Sequence, residues 1–190
     1  MDENIAAFLK VLDPQDNSTG GGTASAVAGA MAGALVAMVA RLSIGKPGME
    51  PEPFHSDLAA AAQALSAKLL AGGREDSEAF EAVRAAYGMP KATDEEKAVR
   101  SRAVQCAWLE ATRVPLRNAD LCASVLGLAA LLEGRSNASA ASDLECATYL
   151  ARAGLLGCIA NVEINLSTIK DEDVAARLAE RAYELRALVA

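Results

Sequence analysis

Aromatic side chains are scarce in this sequence, at 4% of its 190 residues, although hydrophobic residues make up 52%. The interior must therefore be built from Ala, Leu, Val and other small side chains, which allows helices to approach one another closely. Histidine occurs once, as His55, and it has neither a Glu-x-x-His nor a His-x-x-x-His companion. Since helical metal sites use such spacings, we expect no bound metal.

Positive charge is also in short supply, with 18 Lys and Arg against 25 Asp and Glu and a net charge of −7 at pH 7. This balance argues against a nucleic-acid partner or an anionic membrane surface, so an anionic ligand must be held by a local group of cations. No two cysteines form a C-x-x-C pair, and all lie in apolar helical segments. We interpret the four as reduced, buried thiols: Cys106, Cys122, Cys146 and Cys158.

The amino terminus, MDENIAAFLK, lacks the basic start and cleavage pattern of a secretory signal, so we expect a cytoplasmic protein. Residues 24–40 are nearly uncharged and raise the question of a membrane span. Their Ala and Gly content gives weak transfer into lipid, however, and Arg41 follows at once. The segment is therefore predicted to be a core helix.

Helix-forming residues outnumber strand formers almost everywhere, and β-branched alternation is absent, which predicts an all-α fold. We expect one domain over residues 1–190, an up-and-down-type bundle of long helices around a buried Ala/Gly-rich helix. Thr93 to Glu96 and Ser142 to Glu145 both have the pattern of a capping box. The predicted helices cover about residues 3–12, 23–44, 55–87, 93–113, 115–132, 142–169 and 171–188.

Three glycines, Gly20, Gly21 and Gly22, stand before Thr23 at the start of the second helix. Free backbone N–H groups and the positive end of the helix dipole can receive an anion there, although a plain tight turn explains the glycines equally well. Gly29 and Gly33 are one helical turn apart and allow another backbone to pack closely. That close packing is either within the chain or between two subunits.

Polar residues at helix ends and breaks are further candidates for a site. Asp143 lies in the first turn of a predicted helix, where the dipole favours its ionised form. Asn161 and Asn165 follow on the same helix and share one face, so their amides need partners from the core or from a polar heterocycle. Four more residues can reach a bound carboxylate or polar group: Lys46, Lys91, Arg100 and Gln105.

Taken in chain order, these glycine-rich and polar segments resemble those of the cyclodeaminase domain of formiminotransferase-cyclodeaminase and of the stand-alone methenyltetrahydrofolate cyclohydrolases. The resemblance covers nearly the whole chain, with Asn17-Ser18-Thr19 where a proline often stands and Met89 in place of a common leucine. Its marks are Gly20 to Ala26, Met38-Val39 with Gly45-Lys46, Asp76 to Phe80 with Met89-Pro90-Lys91, Arg100 and Gln105 with Val114-Pro115-Leu116, Asn137, Ser142-Asp143 and Asn161 to Leu166.

The resemblance implies a helical bundle, at least a dimer, that binds a tetrahydrofolate derivative and needs no other cofactor. It also implies that the glycine loop, the cations, Gln105, Asn137 and the asparagines bind the substrate. We expect hydrolysis of 5,10-methenyltetrahydrofolate to 10-formyltetrahydrofolate. The alternatives are formiminotetrahydrofolate cyclodeamination, with release of ammonia, and a non-catalytic folate-binding or scaffold protein.

Asp143 is the first candidate for the catalytic carboxylate, facing the one-carbon centre beside Asn161 and Asn165. Asp76 is the second candidate, since it belongs to the same pattern. Its position in the middle of a predicted helix gives it no dipole of its own helix to favour a charge.

Overall fold

The computed structural model describes residues 8–15 and 18–189, and these residues contain helices and no strand. Residues 8–11 are helical, while the rest of the helix predicted over residues 3–12 lies largely outside the described part. Five longer helices follow, with a short 3-10 turn, Ala138–Ala140, before the fourth. They are α1 (Gly21–Ser43), α2 (Glu52–Gly88), α3 (Asp94–Leu132), α4 (Ala141–Leu166) and α5 (Glu172–Ala187). The all-α bundle predicted from the sequence is confirmed.

Helix α1 is the central helix, packed between α2 and α4 and touching α3. Its small apolar residues are buried on nearly all sides, including Ala32, Val36 and Ala40. By length and composition, α1 and α3 are both able to cross a bilayer, but 61% of the apolar window of α1 is buried inside the bundle. The prediction of a buried core helix is confirmed.

Helix α2 continues through Gly72 and Gly73, where the sequence allowed a kink or a break. The reason for Gly72 is close packing: a Cβ there would lie 2.0 Å from the Oδ1 of Asn118 on α3. The Nδ2 of Asn118 donates to the Gly72 carbonyl at 3.2 Å, which fixes the two helices side by side. The glycine therefore serves the contact between α2 and α3.

Helix α3 is one helix of 39 residues, with Pro115 inside it. The predicted division into two helices at this proline is wrong. A proline has no N–H, so it leaves the carbonyl four residues earlier without its helical donor. Here that carbonyl belongs to Ala111, and the Nδ2 of Asn165 on α4 donates to it at 2.9 Å. A side chain from a neighbouring helix thus replaces the lost backbone bond.

One of the two predicted capping boxes forms. The Thr93 side chain accepts from the Glu96 amide, and the Glu96 carboxylate accepts from the Thr93 amide, as the pattern requires. The Ser142 box is wrong, because the 3-10 turn leads directly into α4 and places Ser142 beyond the cap. Asn137 caps that turn instead, its side chain accepting from the Ser139 amide at 3.1 Å.

Gly29 and Gly33 are used for packing within the chain. A Cβ on Gly29 would lie 2.4 Å from the Cys122 Sγ, and one on Gly33 would lie 3.0 Å from the Ala62 carbonyl oxygen. The face that carries these glycines is therefore covered by α2 and α3. It is not a free surface for a second subunit.

All four cysteines are free thiols, but only two of them are buried. Cys122 and Cys158 lie in the core, as predicted, whereas Cys106 and Cys146 are exposed. The prediction of burial is wrong for the exposed pair because each lies on the outward side of its helix.

The bundle has two ends that are important for the site. The glycine-loop end holds residues 18–23, the last turns of α2 and α4, and the first turns of α3. The far end holds the last turn of α1, the start of α2 and the start of α4, with Lys46, His55 and Asn137. About 27 Å of helix α4 separates the two ends, since each residue rises about 1.5 Å.

Candidate functional site

A cavity of about 440 Å³ opens at the glycine-loop end. It is bordered by the residues before α1, the second half of α2, the middle of α3 and the last turns of α4. We call it the carboxylate cavity, because Asp76 is the only ionisable side chain among its described lining residues. These are Ser18, Gly20, Asp76, Phe80, Trp108, Ala111, Asn161, Ile164, Asn165 and Thr168.

Asp76 lies against the first turn of α1. A Cβ on Gly22 would be 2.6 Å from the Asp76 Oδ1, so glycine is needed for the carboxylate to come this close. The Thr23 hydroxyl donates to the Asp76 Oδ2 at 2.9 Å, and the Thr23 backbone amide also bonds to the carboxylate. The dipole of α1 therefore points its positive end at a carboxylate from another helix.

Burial raises the pKa of Asp76, while the two hydrogen bonds from Thr23 lower it. The hydroxyl of Ser77 lies 3.2 Å from that of Thr23. Since Thr23 gives its only hydroxyl proton to Asp76, the proton in this second bond comes from Ser77. The chain Ser77, Thr23, Asp76 fixes the position of the carboxylate. Thr23 itself is buried, so the prediction that it binds substrate directly is wrong.

The two asparagines line the same cavity from α4. The Nδ2 of Asn161 donates to the Gly157 carbonyl at 3.1 Å, and that of Asn165 donates to Ala111. Asn161 is also close to the glycine loop, since a Cβ on Gly21 would lie 3.2 Å from its Nδ2. The structure thus brings Asp76, the second candidate for the catalytic carboxylate, together with Asn161, Asn165 and the three glycines.

A second cavity, of about 510 Å³, adjoins the first and shares Thr168 with it. We call it the cationic cavity, because four basic side chains line it without any carboxylate. Among the described residues, Lys97 pairs with Asp94 at 2.8 Å, whereas Lys91, Arg100 and Lys170 form no ion pair. Its lining residues are Tyr87, Lys91, Lys97, Arg100, Ser101, Val104, Gln105, Thr168 and Lys170.

Arg100 is held in place by the end of α2. Its Nε and Nη2 donate to the Tyr87 carbonyl at 3.2 and 3.0 Å, and its guanidinium lies 5.4 Å from the centre of the Tyr87 ring. A cation held in a fixed position loses little freedom when it binds an anion. The cationic cavity is therefore suited to a carboxylate-bearing ligand.

Gln105, which was predicted to bind substrate, forms hydrogen bonds within the protein. Its Nε2 donates to the Thr168 carbonyl at 3.1 Å, and its Oε1 accepts from the Lys170 amide at 2.9 Å. The amide thus fastens the connection between α4 and α5 onto α3. Gln105 lines the cationic cavity but positions Thr168 and Lys170, and its bonding capacity is largely occupied.

Asp143, Lys46 and Asn137 lie at the far end. Asp143 precedes Asn161 by 18 residues on one continuous helix, which places it about 27 Å away. The prediction that Asp143 faces the same centre as Asn161 and Asn165 is therefore wrong. Lys46 is exposed in the turn after α1, and the Nδ2 of Asn137 donates to the Leu42 carbonyl at 3.3 Å. Neither of them lines a cavity with Asp76.

Each cavity also has lining residues that the sequence pattern did not identify as site residues. Phe80 and Trp108 are aromatic walls of the carboxylate cavity, and the Trp108 Nε1 donates to the Tyr87 hydroxyl at 3.2 Å. Lys97 and Lys170 add charge to the cationic cavity. The spacing of Asp76 and Phe80, one helical turn apart, was the available signal for an aromatic residue beside the carboxylate.

Fold and site together define a helical-bundle protein that holds one carboxylate in a cavity next to a cluster of cations. The family model for formiminotransferase-cyclodeaminase matches residues 4–184. The chain belongs to that family.

Similar proteins include a methenyltetrahydrofolate cyclohydrolase from Methylorubrum extorquens. It is 39% identical over 189 residues, which cover 99% of this chain and 89% of that protein. The formimidoyltransferase-cyclodeaminase of Sus scrofa is 31% identical over 190 residues, which cover 95% of this chain but only 34% of that protein. The chain thus spans about a third of this longer relative.

A solved structure shares the fold. It is the crystal structure of a formiminotetrahydrofolate cyclodeaminase from Thermotoga maritima, with a TM-score of 0.82 and 31% identity. The match covers 95% of this chain and 86% of that one. The named relatives are enzymes of folate one-carbon chemistry, which confirms the family and the enzyme class expected from the sequence.

Proposed function

We propose that the protein hydrolyses 5,10-methenyltetrahydrofolate to 10-formyltetrahydrofolate, with Asp76 as the group that acts at the one-carbon centre. The observation that carries this proposal is the position of Asp76, half-buried in the carboxylate cavity and held there by Thr23. The similarity to the Methylorubrum cyclohydrolase over almost the entire chain favours this reaction.

The chemistry needs a base next to a cationic carbon. Water adds to the carbon that joins N5 and N10, while the Asp76 carboxylate accepts one proton of that water. The adduct then breaks its bond to N5, and Asp76 returns the proton to N5. The remaining hydroxyl proton leaves as the formyl carbonyl forms, so the reaction releases one proton overall. A carboxylate whose pKa is raised by burial is suited to both proton transfers.

The negative charge of Asp76 also stabilises the methenyl cation directly. The site is partly closed to water, and the interaction of a fixed carboxylate with a cation is stronger there than in bulk solvent. None of the basic side chains in the described part of the chain lines this cavity, so none of them competes with the substrate for the carboxylate.

The two adjoining cavities suit the two chemically different ends of a folate. The ring and its one-carbon unit occupy the carboxylate cavity between Phe80 and Trp108, and the chain passes Thr168. The glutamate carboxylates then reach Lys91, Arg100 and Lys170 in the cationic cavity. This arrangement gives the acidic end of the substrate the local group of cations that an acidic protein needs.

Formiminotetrahydrofolate cyclodeamination is the second candidate, and the Thermotoga structure favours it. In that reaction N5 carries the formimino group, N10 attacks its carbon, and the carbon–nitrogen bond to the leaving ammonia breaks. The proton of N10 and the proton of a protonated Asp76 pass to the departing nitrogen, which leaves as ammonia and leaves the methenyl cation beside the Asp76 carboxylate. The same cavity serves both reactions, because both pass through a tetrahedral carbon between nitrogens.

The remaining expectations belong to this proposal as well. Neither reaction needs a cofactor beyond the tetrahydrofolate-linked substrate, and both are consistent with a cytoplasmic enzyme. The homodimer remains a prediction from the family resemblance, since Gly29 and Gly33 are used inside the chain.

The experiment that tests the function follows the absorbance of the methenyl group. We expect purified protein to accelerate the loss of 5,10-methenyltetrahydrofolate over the buffer rate. Formation of the methenyl group from 5-formiminotetrahydrofolate, together with released ammonia, would instead identify the cyclodeaminase. Binding of folate without either reaction would overturn catalysis and support the binding-protein alternative.

A further inference from the structure

We propose that Asn161 and Asn165 recognise hydrogen-bond donors of the pterin in the carboxylate cavity. Their side-chain carbonyl oxygens accept from its 2-amino group and its N8–H. This inference rests on the proposed function, since it assigns the part of the folate that these residues recognise. The assignment depends on which atom of each side-chain amide, the oxygen or the nitrogen, faces the cavity.

The orientation of Asn165 is fixed by Pro115. The proline leaves the Ala111 carbonyl without a helical donor, and a carbonyl can only accept, so the side-chain atom facing Ala111 must be the NH₂ group. The Asn165 Oδ1 is then directed away from that bond, on a residue that lines the cavity. Within the described part of the chain, no hydrogen-bond donor contacts this oxygen. It is not among the buried unpaired atoms there, so it remains accessible to a ligand.

Asn161 has the same arrangement one turn earlier. Its NH₂ group donates to the Gly157 carbonyl, another pure acceptor, so its Oδ1 is also left for the cavity. Residues four apart on a helix have their Cβ atoms about 5–6 Å from each other on one face. The two oxygens can therefore meet two different donors on one edge of a planar ring.

Two other polar groups of this cavity, Asp76 and Thr168, also act as acceptors. Asp76 accepts hydrogen bonds from Thr23. The Thr168 hydroxyl donates its proton to the backbone carbonyl of Asn165 at 2.6 Å, which leaves the lone pairs of the hydroxyl as acceptors. A ring edge made of carbonyl groups would leave these acceptors without donors, which costs binding energy. A reduced pterin presents the 2-amino group and N8–H on the edge opposite N5. With N5 towards Asp76, that edge points away from the reacting carbon.

The test compares the natural substrate with two methenyl analogues, one with a methyl group in place of the 2-amino group and one with carbon in place of N8–H. For the wild-type protein, we expect kcat/KM to fall roughly tenfold or more for each analogue, because a cavity acceptor loses its donor. In Asn161→Ala and Asn165→Ala, the penalty for at least one analogue should shrink to about twofold, as expected when both partners of one contact are removed.

Asn165→Ala also removes the donor to Ala111, so its effect on folding needs a control. The double variant Pro115→Ala with Asn165→Ala restores a backbone N–H at position 115 for the Ala111 carbonyl. We expect the double variant to be thermally more stable than Asn165→Ala. It should still fail to discriminate between the natural substrate and the analogue. Recovery of discrimination together with stability would show a purely structural role for Asn165 and overturn the proposal for it.

The two proposals fail in different ways. If the wild-type protein turns over the natural substrate but both asparagine variants keep the full analogue penalties, the donor-reading role is overturned and the proposed function stands. If the natural substrate is neither bound nor converted, the proposed function itself fails.

Discussion

The two ends of the bundle use similar polar residues in different ways. At the far end, the polar groups bond mainly to one another: the Nε2–H of His55 donates to the Arg135 carbonyl at 2.8 Å, and the Asn137 amide donates to the Ser43 hydroxyl at 2.8 Å. Arg135 also pairs with Glu50 at 2.9 Å. Apart from the His55 Nδ1, this network is closed. It fastens the end of α1 and the start of α2 to the connection between α3 and α4.

At the glycine-loop end, the bonds hold side chains while leaving their functional atoms open. Thr23 fixes Asp76, Ala111 fixes Asn165, and Tyr87 fixes Arg100, yet each keeps a polar group for a cavity. A closed network contributes to stability, whereas a group that is held but incompletely bonded is ready for a ligand. This difference identifies the site better than the residue types do, since both ends contain Asn, Asp and Lys.

The strongest test of the comparison exchanges one carboxylate at each end. Asp76→Asn should lower kcat/KM by roughly 100-fold or more, because the variant can neither accept the proton of water nor stabilise the cation. Asp143→Asn should leave kcat/KM within about twofold, since Asp143 lies at the far end. Steady-state kinetics of both variants with methenyltetrahydrofolate make the measurement.

Thermal unfolding supplies the control for these two variants. Burial raises the pKa of Asp76 in the folded protein above its ordinary value of 3.8, so its ionisation disfavours folding. The stabilisation is complete below pH 3.8 and is lost as pH rises through the folded pKa. Asp76→Asn should therefore match or exceed the wild-type Tm at neutral pH. An inactive Asp143→Asn with an unchanged Tm, beside an active Asp76→Asn, would reverse the assignment of the ends.

The next test concerns the cations. Arg100→Gln and Lys91→Ala should raise KM roughly tenfold with kcat nearly kept, because they weaken binding of the glutamate carboxylates without changing the reacting carbon. Lys46→Ala is the matched control, an exposed lysine at the far end whose removal should leave KM unchanged.

A substrate without the glutamate distinguishes a binding role of these cations from a role in the stability of the fold. With a methenyl-pteroate analogue, wild-type protein, Arg100→Gln and Lys91→Ala should have similar KM values. Variants that are equally impaired with the analogue would show that the cations support the fold and do not contact the glutamate.

The smallest expected effect is at Thr23. Thr23→Val removes the hydroxyl that lowers the pKa of Asp76, so that pKa should rise further. If the ionised carboxylate is the active form, the acidic limb of the kcat/KM profile then moves to higher pH. Thr23→Ser keeps the hydroxyl and should retain the wild-type profile. An unchanged limb in Thr23→Val would mean that another group controls it.

Much of the fold was predictable because its causes are local. The small apolar residues of α1 require burial, the Thr93 and Glu96 pair begins α3, and Asp171 begins α5 by accepting from the Val174 amide. The wrong boundary at Pro115 has a non-local cause. Its missing hydrogen bond is replaced by Asn165, which is distant in sequence. No rule about the proline and its neighbours can anticipate that partner.

The site shows the same division. Sequence alone determined the glycine loop, the cations after α2 and the two asparagines on one helical face, since composition and the 3.6-residue period specify them. The distance from Asp143 to those asparagines was also contained in the sequence, because 18 residues of one helix span about 27 Å. Only the tertiary structure decided that Asp76 is the carboxylate that lines the cavity with these asparagines. The dipole that acts on it comes from α1, 53 residues earlier at Thr23, and fields between helices depend on packing, not on local sequence.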